Sequence, residues 1–252
     1  MQINLEGKVA LVNGGSRGIG EAIARGLAAC GAEVVLSSRK KESVREIADS
    51  IIADGGKASA RECHAGHLDE IEDLFRSVAD EFGRLDILIN NAATNPFFGP
   101  AVKLPPDAFT KTVEVNLQGP YYMMSHAVPL MAENGGGSVV NVASVAALLS
   151  MPGQAVYAMT KAGLVSLTKS FAREYGQLGI RVNAILPGIV ETQFAAALVD
   201  DPRIQKRLAA LPVPRAGQPE DMVGGVLYLV SDSAAYTTGA TLVMDGGITL
   251  GG

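Results

Sequence analysis

The chain has little of the chemistry that metal centres, disulfide scaffolds and polyanion-binding surfaces require. Its two cysteines, Cys30 and Cys63, show no metal-ligand spacing and no readable disulfide framework. A reducing compartment is the simpler context for such a chain. Three histidines, His64, His67 and His126, are scattered, so surface or packing roles are expected and no metal site is. The densest basic run, Arg39-Lys40-Lys41, meets Glu42 at once, and the formal net charge is −5 with a pI near 5.3. Those values argue against nucleic acid or an anionic membrane as the main partner. The most apolar window, 139–153, is broken by Asn141, two serines and Pro152, well short of a membrane span. The apolar run from Val9 follows no charged leader or cleavage site, and GGITLGG at the end matches no targeting signal. A soluble, cytoplasmic protein is expected.

What the chain does have is glycine, 29 residues placed singly between apolar runs, which favours many tight turns. Short β-branched runs at 8–13, 33–38, 57–62, 85–90, 138–143, 180–186 and 241–245 read as strands. Helical windows fall between them, near 18–29, 41–54, 68–82, 107–133, 154–177 and 219–230. That alternation predicts βαβ units and a parallel sheet covered on both faces. No Pro/Ser-rich linker or repeat divides residues 1–252, so one domain is expected. Residues 188–218 break the rhythm and contain Pro202, Pro212 and Pro214, the mark of a functional insertion such as a lid. The windows 107–133 and 154–177 are apolar over much of their circumference, which calls for a second covering layer, and another subunit could supply it.

The first strand runs into NGGSRGIG (13–20) and then into a helical pattern. Glycines at 14, 18 and 20 between strand and helix suit a dinucleotide turn, where backbone approaches a pyrophosphate at a helix N-terminus. Gly14, Ser16, Arg17, Gly18, Ile19 and Gly20 are the expected contacts. The spacing is G-x-x-x-G-x-G, and a structural turn is the competing reading. Asn13 is expected to fold its amide onto the turn. Later strands end at Ser37-Ser38-Arg39, at Asn90-Asn91-Ala92-Ala93 and at Ser144, which a doubly wound sheet would bring to the same edge. No acid follows the second strand until Glu42. Ser38, Arg39 and Arg17 are therefore expected to favour NADP(H), with NAD(H) possible.

In YAMTK, Tyr157 and Lys161 stand four apart and so share a helix face. A buried tyrosine beside a snorkelling lysine stem would look the same. A phenol near an ammonium, however, has its ionised form favoured and its pKa lowered toward working pH. With Ser144 thirteen residues earlier, the pair could donate and accept a proton.

NGGSRGIG, NNAA, Asn116 in VEVNL, Ser144, YxxxK and Pro187-Gly188, in this order over essentially the whole chain, resemble the short-chain dehydrogenase/reductase family. The resemblance implies an α/β Rossmann fold with a doubly wound, seven-stranded parallel sheet, a nicotinamide cofactor and a homotetramer built through the two long helices. It also implies roles. Tyr157 is the general acid/base and Lys161 binds the nicotinamide ribose. Ser144 positions the carbonyl, and Asn116 holds a water in a relay to Lys161. Asn91 and Ala92 line the cofactor, Pro187 and Gly188 lie against the nicotinamide, and Thr192 bonds its carboxamide. Three positions depart from the family pattern: Asn13, Ala93, and His64 where the family places an adenine-contacting Asp.

SSRK, ECHAG and NAATNPFFGP are most similar to NADP-dependent carbonyl and retinal reductases of the dehydrogenase/reductase member four type. Three readings stand: a ketone/alcohol oxidoreductase using NADP(H) on a small molecule, a 3-oxoacyl-carrier-protein reductase, and a non-catalytic dinucleotide-binding protein. Arg203, Lys206 and Arg207 offer a modest basic patch for an acidic carrier protein. Phe97, Phe98, Val145, Leu148, Met151 and part of 188–212 are candidates for an apolar substrate pocket.

Overall fold

In the computed structural model, which describes residues 3–149, 151–195 and 202–250, every sheet pairing is parallel. The strands are β1 (Val9–Asn13), β2 (Glu33–Ser38), β3 (Lys57–Glu62), β4 (Ile87–Asn90), β5 (Gly137–Val142), β6 (Ile180–Pro187) and β7 (Thr241–Met244). Their spatial order is β3-β2-β1-β4-β5-β6-β7. The order reverses between β1 and β4, where Ala10 to Asn13 pair with Ile87 to Asn90. A crevice opens at such a reversal, beyond the carboxyl ends of the strands.

Period-two alternation divides the strand side chains between two cores. Ala10, Val12, Val34 and Leu36 face α1 (Gly18–Ala29) and α2 (Lys41–Ala53), which bury Ile23, Leu27, Val44 and Ile51. Val9, Leu11, Val35 and Leu88 face α3 (Leu68–Phe82), with Ile71, Leu74, Phe75 and Val78. The inner strands are therefore dry on both faces, which explains why they read as nearly continuous apolar runs, while β3 and β7 at the edges are only partly buried. The ladder of β4 starts at Ile87, two residues later than the apolar run suggests. Asp86 uses its buried carboxylate to accept from Val9 N–H (2.9 Å) and from Arg84.

The window 107–133 forms α4 (Pro106–Val113), a π-turn (Glu114–Gln118) and α5 (Gly119–Glu133). At the join, a Cβ on Gly119 would stand 2.0 Å from Ala65 O, so only glycine lets the helix pass that loop. Most of the apolar width of α5 is used inside the chain: Met123, Met124, Ala127, Val128 and Met131 are buried. Phe109 and Tyr121 remain exposed. The next long helix is α6 (Ala155–Tyr175).

In the 188–218 region, Val190 bridges to Gly217 and α7 (Pro202–Ala209) seats Leu208 in the protein. Residues 196–201 of the expected insertion lie outside the described residues. A 3₁₀ turn (Pro219–Met222) leads into α8 (Val223–Val230), which covers the same sheet face as α1.

Candidate active site

The glycine turn sits at the strand-order reversal and is stitched to the segment after β4. Gly14 has φ of 81° and donates to Ser37 O (2.8 Å). Ala92 N–H donates to Asn13 O (3.0 Å), and Asn91 Nδ2 donates to Gly14 O (2.8 Å). A Cβ on Gly14 would lie 2.7 Å from Ala92 N, and one on Gly20 would lie 2.2 Å from Gly14 O. The turn is thus a cradle that any side chain would fill, at the N-terminus of α1, where free N–H groups and the helix dipole favour an anion. Its shape fits the pyrophosphate of a dinucleotide. Asn13 corrects an expectation: its Oδ1 accepts from Ser37 Oγ (3.3 Å) instead of folding onto the turn, and Asn91 does the tethering.

Ser16 is half-buried, Ile19 packs against the α1 core, and Arg17 is exposed at the head of α1. Arg17 donates to Gln193 Oε1, and a Cβ on Gly18 would stand 3.0 Å from Thr192 Cγ2. The chain after β6 therefore crosses over the turn. Thr192 Oγ1 faces Val190 O (3.4 Å) and accepts from Ala195 N–H (3.2 Å). Pro187 closes β6, and a Cβ on Gly188 would press on Asp245 Cα at 2.8 Å. Nothing in the sequence pattern singled out Gln193.

At the end of β2, Ser38 Oγ donates to Lys40 O (2.9 Å), and Arg39 is exposed with no ion pair to any described residue. Beside it, the histidines prove less scattered than the sequence suggests. The rings of His64 and His67 stack at 4.1 Å, while Glu70 accepts from His64 N–H (2.6 Å) and pairs with His67 Nδ1 (2.6 Å). Gly66 N–H donates to His64 Nδ1 (3.0 Å), which leaves the proton of a neutral ring on Nε2. Burial foremost, then the charges of His67 and Arg39, hold the His64 pKa below its ordinary value. His126 stacks on Phe75 instead. Among the described residues no cluster of metal-ligating side chains occurs.

β5 delivers Ser144 and α6 delivers Tyr157 and Lys161 to one place. Lys161 is 2 % exposed, its Nζ donates to Val142 O (2.8 Å) and stands 5.7 Å from the centre of the Tyr157 ring. Burial lowers the Lys161 pKa to about 8. Burial also pushes the Tyr157 phenol up to about 12, against the opposing hydrogen bond from Ser144. The expected lowering of the phenol by Lys161 is therefore corrected. The ammonium is spent on a strand-end carbonyl, and the loss of hydration dominates both groups.

Asn116 is fully buried on the π-turn. Its Oδ1 accepts from Thr94 N–H (2.7 Å), and its Nδ2 donates to Thr94 O (2.9 Å) and Thr160 Oγ1 (3.3 Å). The side chain straps the segment after β4 to the residue preceding Lys161. A deeper polar chain was legible only as two asparagines inside apolar strands: Asn90 Nδ2 donates to Asn141 Oδ1 (2.8 Å), and Asn141 Nδ2 to Thr168 Oγ1 (2.9 Å).

A small cavity before Tyr157 is lined by Asn95, Phe97, Leu104, Thr112 and Gln154. Of the expected pocket residues, Phe97 lines it, Phe98 lies exposed against Gly153, Leu148 is exposed, and Met151 is half-buried. Val145 is a packing residue, 3 % exposed. Phe194 approaches Tyr157 from the 188–218 side, with ring centres 6.0 Å apart.

Comparison with known proteins agrees with this geometry. Residues 14–249 match the family model described as Enoyl-(Acyl carrier protein) reductase. The chain is 40 % identical over 244 residues to human Dehydrogenase/reductase SDR family member 4, covering 96 % of this chain and 88 % of that protein. It is 39 % identical over 247 residues to the L-rhamnose 1-dehydrogenase (NAD(P)(+)) of Azotobacter vinelandii, covering 96 % of each. The structure of a gluconate 5-dehydrogenase from Burkholderia cenocepacia J2315, in complex with NADP and tartrate, superposes with a TM-score of 0.96 at 31 % identity, over 100 % of this chain and 98 % of that one.

Proposed function

The chain belongs to the short-chain dehydrogenase/reductase family, acting on alcohol and carbonyl groups, and from that premise we propose an NADP(H)-dependent reductase of small ketones and aldehydes. The convergence of Ser144, Tyr157 and Lys161 beside the glycine cradle carries this reading. When bound, the nicotinamide supplies or accepts a hydride. Gly14, Gly18 and Gly20 admit the pyrophosphate, with Ser16, Ile19, Asn91 and Ala92 as the walls of its channel. Ser38, Arg39 and Arg17 receive the 2′-phosphate of NADP, the planar guanidinium of Arg39 being uncommitted in the structure. Pro187, Gly188 and Thr192 hold the nicotinamide end.

Ser144 donates to the substrate oxygen and Tyr157 gives that oxygen its proton. The phenol is protonated at neutral pH, the state a reductase needs in its acid. Lys161 holds the ribose and shares the proton path, while Asn116 fixes the loop and the helix that frame them. The stretch 188–218 acts as the lid, and the exposed Phe109 and Tyr121 are where a second subunit packs in a homotetramer. The protein works in the cytoplasm; no helix among the described residues is long and apolar enough to cross a membrane.

The family description keeps a second reading in play, reduction of the 3-oxo group of an acyl chain carried on acyl-carrier protein, for which Lys206 and Arg207 are exposed on α7. The test is turnover of a panel of ketones, aldehydes and a 3-oxoacyl thioester with NADPH, in the native enzyme and in Tyr157→Phe. The phenylalanine enzyme should lose at least about 100-fold in kcat while NADPH affinity stays within a few-fold. Near-normal kcat in that variant would refute the assignment of the acid.

A further inference from the structure

Gln154 precedes Tyr157 by three residues, and its position carries information about the substrate that the shared proton machinery does not. It stands at the head of α6, where its carbonyl accepts from Ala158 N–H (2.8 Å) and its N–H donates to Met151 O (3.3 Å). Those are main-chain duties that any residue could perform. Short side chains at this position usually fold back to cap the helix. The Gln154 amide does not, and it makes no hydrogen bond to any described residue. Yet the residue is 6 % exposed, and it lines the cavity in front of Tyr157. The amide is unpaired but not sealed off, since the buried unpaired side-chain atoms among the described residues are Ser59 Oγ and Asn90 Oδ1, and residues three apart lie on one helix face. The amide therefore sits one helical turn from the phenol, in the same cavity.

We infer that Gln154 is a specificity-determining residue whose amide reads a hydroxyl on the carbon next to the reacting carbonyl. The substrate class is then an uncharged α-hydroxy ketone, or a vicinal diol in the oxidative direction. This rests on the ketone/alcohol reading above and narrows it. The reasoning is by complementarity. A primary amide offers a donor and an acceptor together, which a hydroxyl satisfies in both senses. Among the described residues no charged side chain lines the cavity, so neither a carboxylate nor a phosphate next to the carbonyl would find a counter-ion on them. Asn95 adds a second amide, and the cavity, of about 10 Å³, has room for one hydroxyl-sized group beside Phe97 and Leu104. A methyl group in place of the hydroxyl would bury the amide against carbon, the arrangement that makes a polar pocket reject an analogue.

The experiment compares kcat/KM with NADPH for 1-hydroxy-2-butanone, its near-isostere 3-pentanone, and 2-oxobutanoate, in the native enzyme and in Gln154→Met. The native enzyme should prefer the hydroxyketone over 3-pentanone by at least about 10-fold, with 2-oxobutanoate the poorest of the three. In Gln154→Met the hydroxyketone/pentanone ratio should collapse toward unity, mainly through KM for the hydroxyketone. NADPH affinity, read by fluorescence, reports whether the variant is folded and loaded. If methionine is not tolerated, Gln154→Asn should show the same loss of preference in reduced degree. A native ratio near unity, a ratio that survives both substitutions, or a preference for 2-oxobutanoate would overturn the inference while leaving the ketone-reductase reading intact. No turnover of any ketone by the native enzyme would overturn both.

Discussion

Replacing Lys161 by methionine should stabilise the cofactor-free protein at neutral pH while destroying its activity. The ammonium is buried beneath Tyr157, and burial depresses its pKa from 10.5 to about 8. At 1.36 kcal/mol per pKa unit, holding it charged costs the fold about 3 kcal/mol. Methionine has a similar length and no charge, but it abandons Val142 O, which now accepts from Nζ at 2.8 Å. An orphaned carbonyl costs about 1–2 kcal/mol. The net gain at pH 7 is about 1–2 kcal/mol, or a rise of several degrees in Tm for a chain of this size.

The sign of the pH dependence is the sharper test. Between pH 8 and 10.5 the unfolded lysine still binds its proton while the folded one has released it, so native stability rises with pH across that window. Methionine does not titrate. Its advantage should therefore shrink above pH 8 and reverse by pH 10.5, where neutral lysine keeps its bond to Val142 O. Urea melts of both cofactor-free proteins at pH 7, 8, 9 and 10, at one ionic strength, give the difference directly, and other titrating groups cancel in it. A difference that stays flat from pH 7 to 10 refutes the depressed lysine.

Three other outcomes follow from the same geometry. Gly20→Ala places a methyl 2.2 Å from Gly14 O and 2.5 Å from Asn91 Nδ2; it should abolish measurable NADPH binding, and calorimetric binding within a few-fold of native would remove the cradle argument. Ser38→Asp with Arg39→Ala should turn cofactor preference toward NADH, since a carboxylate repels the 2′-phosphate and each charge-assisted bond lost is worth about 1.5–3 kcal/mol. A native kcat/KM that already favours NADH would show that Ser38, Arg39 and Arg17 are misread. Light scattering at micromolar concentration should give a tetramer, and a stable monomer would leave the exposed Phe109 and Tyr121 without their assigned partner.

The sheet was legible because a strand buried on both faces must be apolar throughout, and such runs between helical windows leave few alternatives. The proton machinery was legible through chain-local spacing: Tyr157 and Lys161 share a helix turn, and Ser144 ends a strand. What sequence spacing could not supply was competition for a hydrogen-bonding group. Lys161 could be paired with Tyr157 on paper, but not with Val142 O, whose position depends on the sheet. The asparagine of the glycine turn was misplaced for the same reason, since Ser37 reaches it from another strand. Gln154 and Gln193 act across loops and carry no periodic signal. The stacking of His64 on His67 with Glu70 beneath was within reach, because all three lie within seven residues.

The π-turn at Glu114–Gln118 makes the number of residues here as consequential as their identity. An α-helix advances about 100° per residue, and a turn of i→i+5 bonds takes up one surplus residue as a bulge, so the two halves of the rod keep nearly one phase. Upstream, that phase keeps Phe109 outward; downstream, it keeps Met123, Met124 and Ala127 inward and aligns Gly119 with Ala65 O. Deleting one residue of the five would close the bulge into a regular turn and leave the two halves near their present phase. Met123 and Met124 would keep their core, while Asn116 would lose the bulge that carries it to Thr94. The surplus residue is thus an address for one asparagine, written into a rod that runs on unbroken around it.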